Sequence, residues 1–143
     1  MMKVTAVEVL PNAGLRVSLG SGKKFELSIA EYLDAPGYEA LRDPALFARV
    51  SVEEWGNGVE WPDDIGIPVT ALYRLAQEQA GKAFPVEQFN AWMKRNALSA
   101  AQAARALGLT RRTIIYYHTG AKPIPVVVGL ACDGYEARGK RAA

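Results

Sequence analysis

The stretch from Ser99 to Gly120 leaves the backbone little choice. Ser99 and Gln102 have the spacing of a capping box, in which the serine hydroxyl accepts from the N3 amide and the glutamine side chain reaches back to the serine N–H. A helix therefore begins after Ser99, rich in alanine (Ala100, Ala101, Ala103, Ala104, Ala106). It ends at Leu107, because Gly108 supplies the left-handed residue of a helix stop. Thr110 is then the N-cap of a second helix through Arg111, Arg112, Thr113, Ile114, Ile115, Tyr116 and Tyr117, which stops at Gly120. Two short helices joined by a tight glycine turn make a helix-turn-helix. Ala104 permits their close approach, and Leu107, Leu109, Ile114 and Tyr117 are the apolar residues that fix the crossing.

On the second helix the spacing predicts Ile114 and Tyr117 on the buried side. Arg111, Arg112, Ile115 and Tyr116 share the i, i+1, i+4, i+5 relationship of one exposed face. Two arginines in the first turn of such a face suit DNA, because a recognition helix reads base edges mainly with its N-terminal residues and arginine bonds guanine O6 and N7 together. Ile115 can meet a thymine methyl, Tyr116 a phosphate, and Lys122, in the loop after Gly120, another phosphate.

Charge supports a division of the chain. Residues 1–80 carry 7 Lys and Arg against 12 Asp and Glu, a net of −5, whereas residues 81–143 carry 10 against 3, a net of +7, so the overall +2 conceals two modules. The boundary falls at Gly81–Pro85, a helix stop followed by a proline able to open the next helix. Val86, Phe89 and Met93 recur at helical spacing beyond it, with Trp92 beside them and Lys94 and Arg95 at the dipole-favoured end. After Lys122, Pro123-Ile124-Pro125 leads into a closing helix in which Val126, Val127, Leu130 and Ala131 are expected to complete the core, followed by a basic tail of Arg138, Lys140 and Arg141.

The acidic half reads as strands before helix. Leu15, Val17 and Leu19 alternate with polar residues, Phe25 and Leu27 continue the pattern, and a first strand surrounds Val4 to Val9. Pro11-Asn12-Ala13-Gly14 and Gly20-Ser21-Gly22 are the turns of a three-stranded antiparallel meander. A short helical segment near Ile29–Leu33 follows. Gly56-Asn57-Gly58 predicts a hairpin that pairs Trp55 with Trp61 across its strands. From Pro68 a helix carries Val69, Leu72, Tyr73, Ala76 and Ala80 on one face until Gly81.

Several activities find no support. Gly20-Ser21-Gly22-Lys23 has Val17 where a phosphate loop needs glycine and no Ser or Thr after the lysine. Glu60, Asp63 and Asp64 lack the spacing of a calcium loop and read as a solvated acidic turn. His118 and Cys132, the single histidine and cysteine, belong to no ligand or nucleophile motif, so neither an enzyme, a metal site nor a cofactor is expected. A lone thiol suits the cytoplasm, the start at Met1-Met2-Lys3 lacks the continuous apolar core of a signal peptide, and the longest nearly apolar stretch, Ile124 to Cys132, is far short of a membrane span.

Leu98 to Gly120, with Ala104, Gly108, Ile114, Gly120 and the following Lys122-Pro123, resembles the helix-turn-helix of phage repressor and Cro-type (XRE-type) regulators. Ala100 stands where many such domains carry glutamine. Val7-Glu8-Val9-Leu10-Pro11, Val59-Glu60-Trp61-Pro62 and Asp64-Ile65-Gly66-Ile67-Pro68 are similar to a small bacterial α+β domain of unknown function that is familiar ahead of repressor-like domains. Together the resemblances imply an α+β protein. Residues 1–81 would be a small antiparallel sheet with helices, and residues 82–143 an all-α lambda-repressor-like DNA-binding domain.

The function so implied is transcription regulation on double-stranded DNA. Arg111, Arg112, Thr113, Ile115, Tyr116 and Lys122 are the DNA-contacting residues, and Ser99, Gln102 and Thr110 are the helix caps that align them. A homodimer is expected, because two copies can read half-sites about 34 Å apart, and the acidic domain is the natural place for a dimer or partner contact. The alternative is an antitoxin-like protein-binding module that engages a partner through Ile115 and Tyr116, since such front domains also occur beside toxin genes.

Overall fold

A computed structural model describes residues 2–142. They form two compact units that divide between Ala76 and Gln77. The division lies a few residues before the Gly81 boundary read from charge and falls inside a helix.

In the front unit, β1 (Val4–Leu10), β2 (Gly14–Leu19) and β3 (Lys24–Ser28) make an antiparallel sheet in that order, with Val17 of the central strand opposite both Val7 and Phe25. Alternation decides which face is buried: Leu15, Val17 and Leu19 are all core residues. The first turn places Asn12 and Ala13 at φ 62° and 57°, the pair of left-handed residues that matches the twist of a two-residue hairpin. Two short 3-10 segments, Ala30–Asp34 and Glu39–Arg42, follow, and α1 (Pro44–Phe47) is capped by Asp43. A second antiparallel sheet then joins β4 (Ser51–Val52), β5 (Gly58–Trp61) and β6 (Ile65–Pro68), and α2 (Val69–Gln79) leaves its edge. Leu15, Ile29, Val59, Ile67, Leu72 and Leu75 meet in one apolar core.

Three details differ from the sequence reading. Ser51 faces Glu60 and Val52 faces Val59, so Trp55 sits in the connection and is 71% exposed rather than paired with Trp61. Trp61 is buried instead, where its Nε1–H donates to the Phe47 carbonyl at 2.9 Å. Pro68 closes β6 and does not open the helix; Asp63 and Asp64, at φ 70° and 60°, form the β5–β6 hairpin turn, which explains the acidic cluster as turn chemistry. On α2 the buried positions are Val69, Leu72, Leu75 and Ala76, while Tyr73 is half-buried and Ala80 lies beyond the helix and is exposed.

The back unit contains α3 (Val86–Arg95), α4 (Ala100–Leu107), α5 (Arg111–Thr119) and α6 (Val126–Ala142). Its core is separate from the first: Phe89, Trp92, Ala103, Ile114, Ile124 and Cys132 pack together. Burial pushes the Cys132 thiol up to about 12, with Asp133 and Glu136 adding to the shift, so at neutral pH it is a small apolar filler and not a nucleophile.

The closing helix is rotated from the expected orientation. Val126, Val127 and Leu130 are 47%, 66% and 65% exposed, Ala131 is exposed too, and the inward residues are Val128, Gly129 and Cys132. The entry to the helix sets this rotation. Phe84 N–H donates to the Ile124 carbonyl at 2.7 Å, and a Cβ on Gly129 would lie only 2.4 Å from the Phe84 ring. Gly129 must therefore face the ring, which keeps Val128 inward and turns Val126 and Val127 outward. Arg95 of α3 pins α6 from the other side through Glu136 at 2.8 Å. Of the basic tail, Arg138 is exposed on α6, and Lys140 and Arg141 lie outside the described side chains.

Candidate nucleic-acid interface

Caps fix where α4 and α5 begin and end. The Ser99 hydroxyl accepts from the Gln102 amide at 3.2 Å, and the Ser99 N–H donates to Gln102 Oε1 at 2.8 Å. Gly108 at φ 71° ends α4, and Thr110 Oγ1 accepts from the Thr113 amide at 3.1 Å to start α5. Each cap satisfies a backbone group that the helix itself leaves unpaired. Ile114 and Tyr117 then anchor α5 in the core, with Tyr117 edge-on to Phe89 at 5.9 Å. Asn90 of α3 holds the far end: its Nδ2–H donates to the His118 carbonyl at 3.1 Å, and its Oδ1 lies 2.8 Å from His118 Nδ1. That assigns the single histidine to positioning α5.

With the buried side fixed, the outward side is determined. Arg111 and Arg112 are exposed in the first turn, whereas Ile115 and Tyr116, placed with them by spacing, are only half-buried, as is Thr113. Thr113 is occupied in the cap, its hydroxyl 2.9 Å from that of Thr110. The two arginines also differ. Arg111 makes no hydrogen bond or ion pair with any described residue, while Arg112 Nε donates to the Tyr116 hydroxyl at 2.6 Å and its guanidinium carbon lies 5.5 Å from the ring centroid. Lys122 comes to the same ring, its Nζ 4.6 Å from the centroid. It can do so because Gly120 adopts φ 78°, which closes α5 and turns the chain back; the Ala121 amide donates to the Tyr116 carbonyl at 2.9 Å across that turn.

Tyr116 thus gathers two cations that are ten residues apart in sequence. The Arg112 half of this cluster has the i, i+4 signal of a helix face, but Lys122 depends on the path after Gly120 and carries no spacing signal. No described carboxylate pairs with Arg111, Arg112 or Lys122, so the surface presents net positive charge to solvent.

Other sites are weaker. A cleft of about 210 Å³ in the front unit is lined by Glu53, Asn57, Gly58, Val59, Glu60, Gly66, Ile67 and Pro68. Among the described residues no three His, Cys, Asp or Glu side chains gather as a metal site, and no helix is long and apolar enough to cross a membrane.

Residues 4–78 match the family described as "Protein of unknown function (DUF2442)", which is more than half of the chain. The chain belongs to the DUF2442 family. Its DUF2442 region spans β1 to α2 and leaves α3–α6 outside the match. The whole chain is also similar to a solved crystal structure from Nitrosomonas europaea, named "Putative DNA Binding Protein NE0471", at 41% identity and a TM-score of 0.63; the likeness covers 96% of this chain and 88% of that one. No curated protein matches this DUF2442 chain.

Proposed function

We propose that this DUF2442 protein binds double-stranded DNA through α5, as a transcription regulator whose α4–α5 pair works as a repressor-like helix-turn-helix. The observation that carries this reading is the outward surface at α5: Arg111 and Arg112 on a helix whose rotation is fixed by Ile114, Tyr117 and Asn90, with Lys122 returned beside it by the Gly120 turn, and no described carboxylate partner for any of the three. The name of the Nitrosomonas europaea protein points the same way. In this reading residues 82–143 are the DNA-binding domain, residues 1–81 provide the dimer or partner contact, and Arg111, Arg112, Ile115, Tyr116 and Lys122 meet the duplex. Thr113 contributes by aligning the helix start, since its hydroxyl is already engaged. No catalytic step, metal or cofactor is part of the proposal.

A second reading has its own observation. Trp55 stands 71% exposed between Glu54 and Gly56 in the front unit, which favours a protein partner there in addition to DNA.

Selection of bound fragments from the source genome by the purified full chain tests the main reading. We expect enrichment of one motif, with paired half-sites about one helical turn apart for a dimer. Retention of no fragment even at low salt would refute it.

A further inference from the structure

Sequence spacing treats Arg111 and Arg112 as equivalent readers of base edges, and the structure separates them. Resting on the DNA-binding reading above, we infer that Arg112 and Lys122, gathered on Tyr116, form a clamp for one backbone phosphodiester, and that Arg111 is the arginine left to read a base.

The argument starts from what each cation is free to do. A base-reading arginine must extend from the first turn of the helix and present two parallel N–H donors to guanine. Arg111 meets that requirement, since nothing among the described residues holds it. Arg112 keeps its Nη donors but not the reach, because the bond from its Nε to the Tyr116 hydroxyl draws the guanidinium along the helix, away from the first turn and towards the next. There it meets the charge of Lys122 on the same ring.

Two cations on one aromatic ring, with no carboxylate to neutralise them, repel each other and attract an anion. The donor set has the chemistry of a phosphodiester ligand. The remaining guanidinium N–H groups and the ammonium can serve its two non-bridging oxygens. Phosphate contacts fix the register of a protein on DNA without reading its sequence, and a base reader adjacent to such a clamp is held at one depth in the groove. Tyr116 is then a positioning residue: its ring and hydroxyl hold Arg112 beside Lys122.

The test measures binding of the full chain across a salt series to two probes, the fragment enriched from the genome and an unrelated mixed-sequence duplex. Arg112→Ala and Lys122→Ala should weaken both probes by the same factor. The two changes combined should make the slope of log K against log salt shallower by about 0.9, the value for one phosphate, and not by twice that. Arg111→Ala should instead lower affinity for the enriched fragment about tenfold while leaving the unrelated duplex nearly unchanged. Tyr116→Phe should weaken both probes in the wild-type background and have no further effect in an Arg112→Ala background, the non-additivity expected when one residue acts through another. A purely structural role for the hydroxyl would instead give equal losses in both backgrounds. If wild type binds both probes but Arg112→Ala combined with Lys122→Ala leaves the slope intact or makes it shallower by about 1.8, or Arg112→Ala removes the discrimination, the clamp is wrong and DNA binding stands. If wild type binds neither probe at low salt, both proposals fall.

Discussion

In the front unit Arg16 lies between Glu8 and Glu26, at 3.2 and 2.9 Å, and Arg42 pairs with Asp34, whereas in the back unit Arg111 and Arg112 on α5 and Lys122 just after it have no described carboxylate at all. The Glu26 hydrogen bond, with the charges of Glu26 and Glu8, raises the Arg16 pKa further above its already high ordinary value. Exposed ion pairs of this kind are screened by water and contribute little to stability, so stability does not demand them and does not explain their absence on α5. What separates the two surfaces is what remains for a partner. Arg16 and Arg42 are neutralised within the chain, and the α5 cations keep their charge for an anion from outside.

That contrast presupposes two units with independent cores, which can be broken by cutting into one. Phe89 is fully buried among Trp92 and Tyr117, so Phe89→Ala should cost the back unit about 3–5 kcal/mol. We expect the back unit, followed by hydrogen exchange of its α3 and α5 amides, to open at lower denaturant while the front sheet, followed by exchange of its β2 amides, keeps its midpoint. A common shift of both signals would show that the cores unfold as one.

A smaller effect sharpens the contrast within the back unit. Ser99→Ala removes one half of the capping box and should cost about 1 kcal/mol, read as a lower denaturation midpoint with an unchanged slope. Because α4 carries Ala103 and Ala104 against the core that also holds α5, the loss should fall on this unit alone.

Much of this was legible in the sequence where the chemistry is local. Ser99 with Gln102, Thr110 and the glycines at 108 and 120 mark helix ends through hydrogen bonds and backbone conformation that span at most four residues. The alternation of Leu15, Val17 and Leu19 marked the first sheet in the same way. Features set by distant packing were hidden. The rotation of α6 depends on Phe84 meeting Gly129, 45 positions later, so a run of valines looked like core on every side. Strand β6 is four residues ending in proline, too short to show a period, and Trp55 looked like a strand residue because glycines at 56 and 58 both suggested the turn. At the candidate site the arginines were visible from spacing. Their inequality was not, because it arises from a tyrosine hydroxyl one turn away and a lysine returned by the Gly120 turn.

The central claim is that charge on α5, and not charge in general, confers DNA binding. It is tested most directly by removing two positive charges from each unit in turn and measuring the affinity of the full chain for duplex DNA at fixed low salt. Arg111→Ala with Arg112→Ala should reduce affinity by more than about tenfold, since a single arginine–guanine pair alone contributes about 1–3 kcal/mol. Arg16→Ala with Arg42→Ala, which leaves the chain with the same net charge, should leave affinity nearly unchanged. Equal losses from the two double variants, or no loss from the first, would contradict the claim.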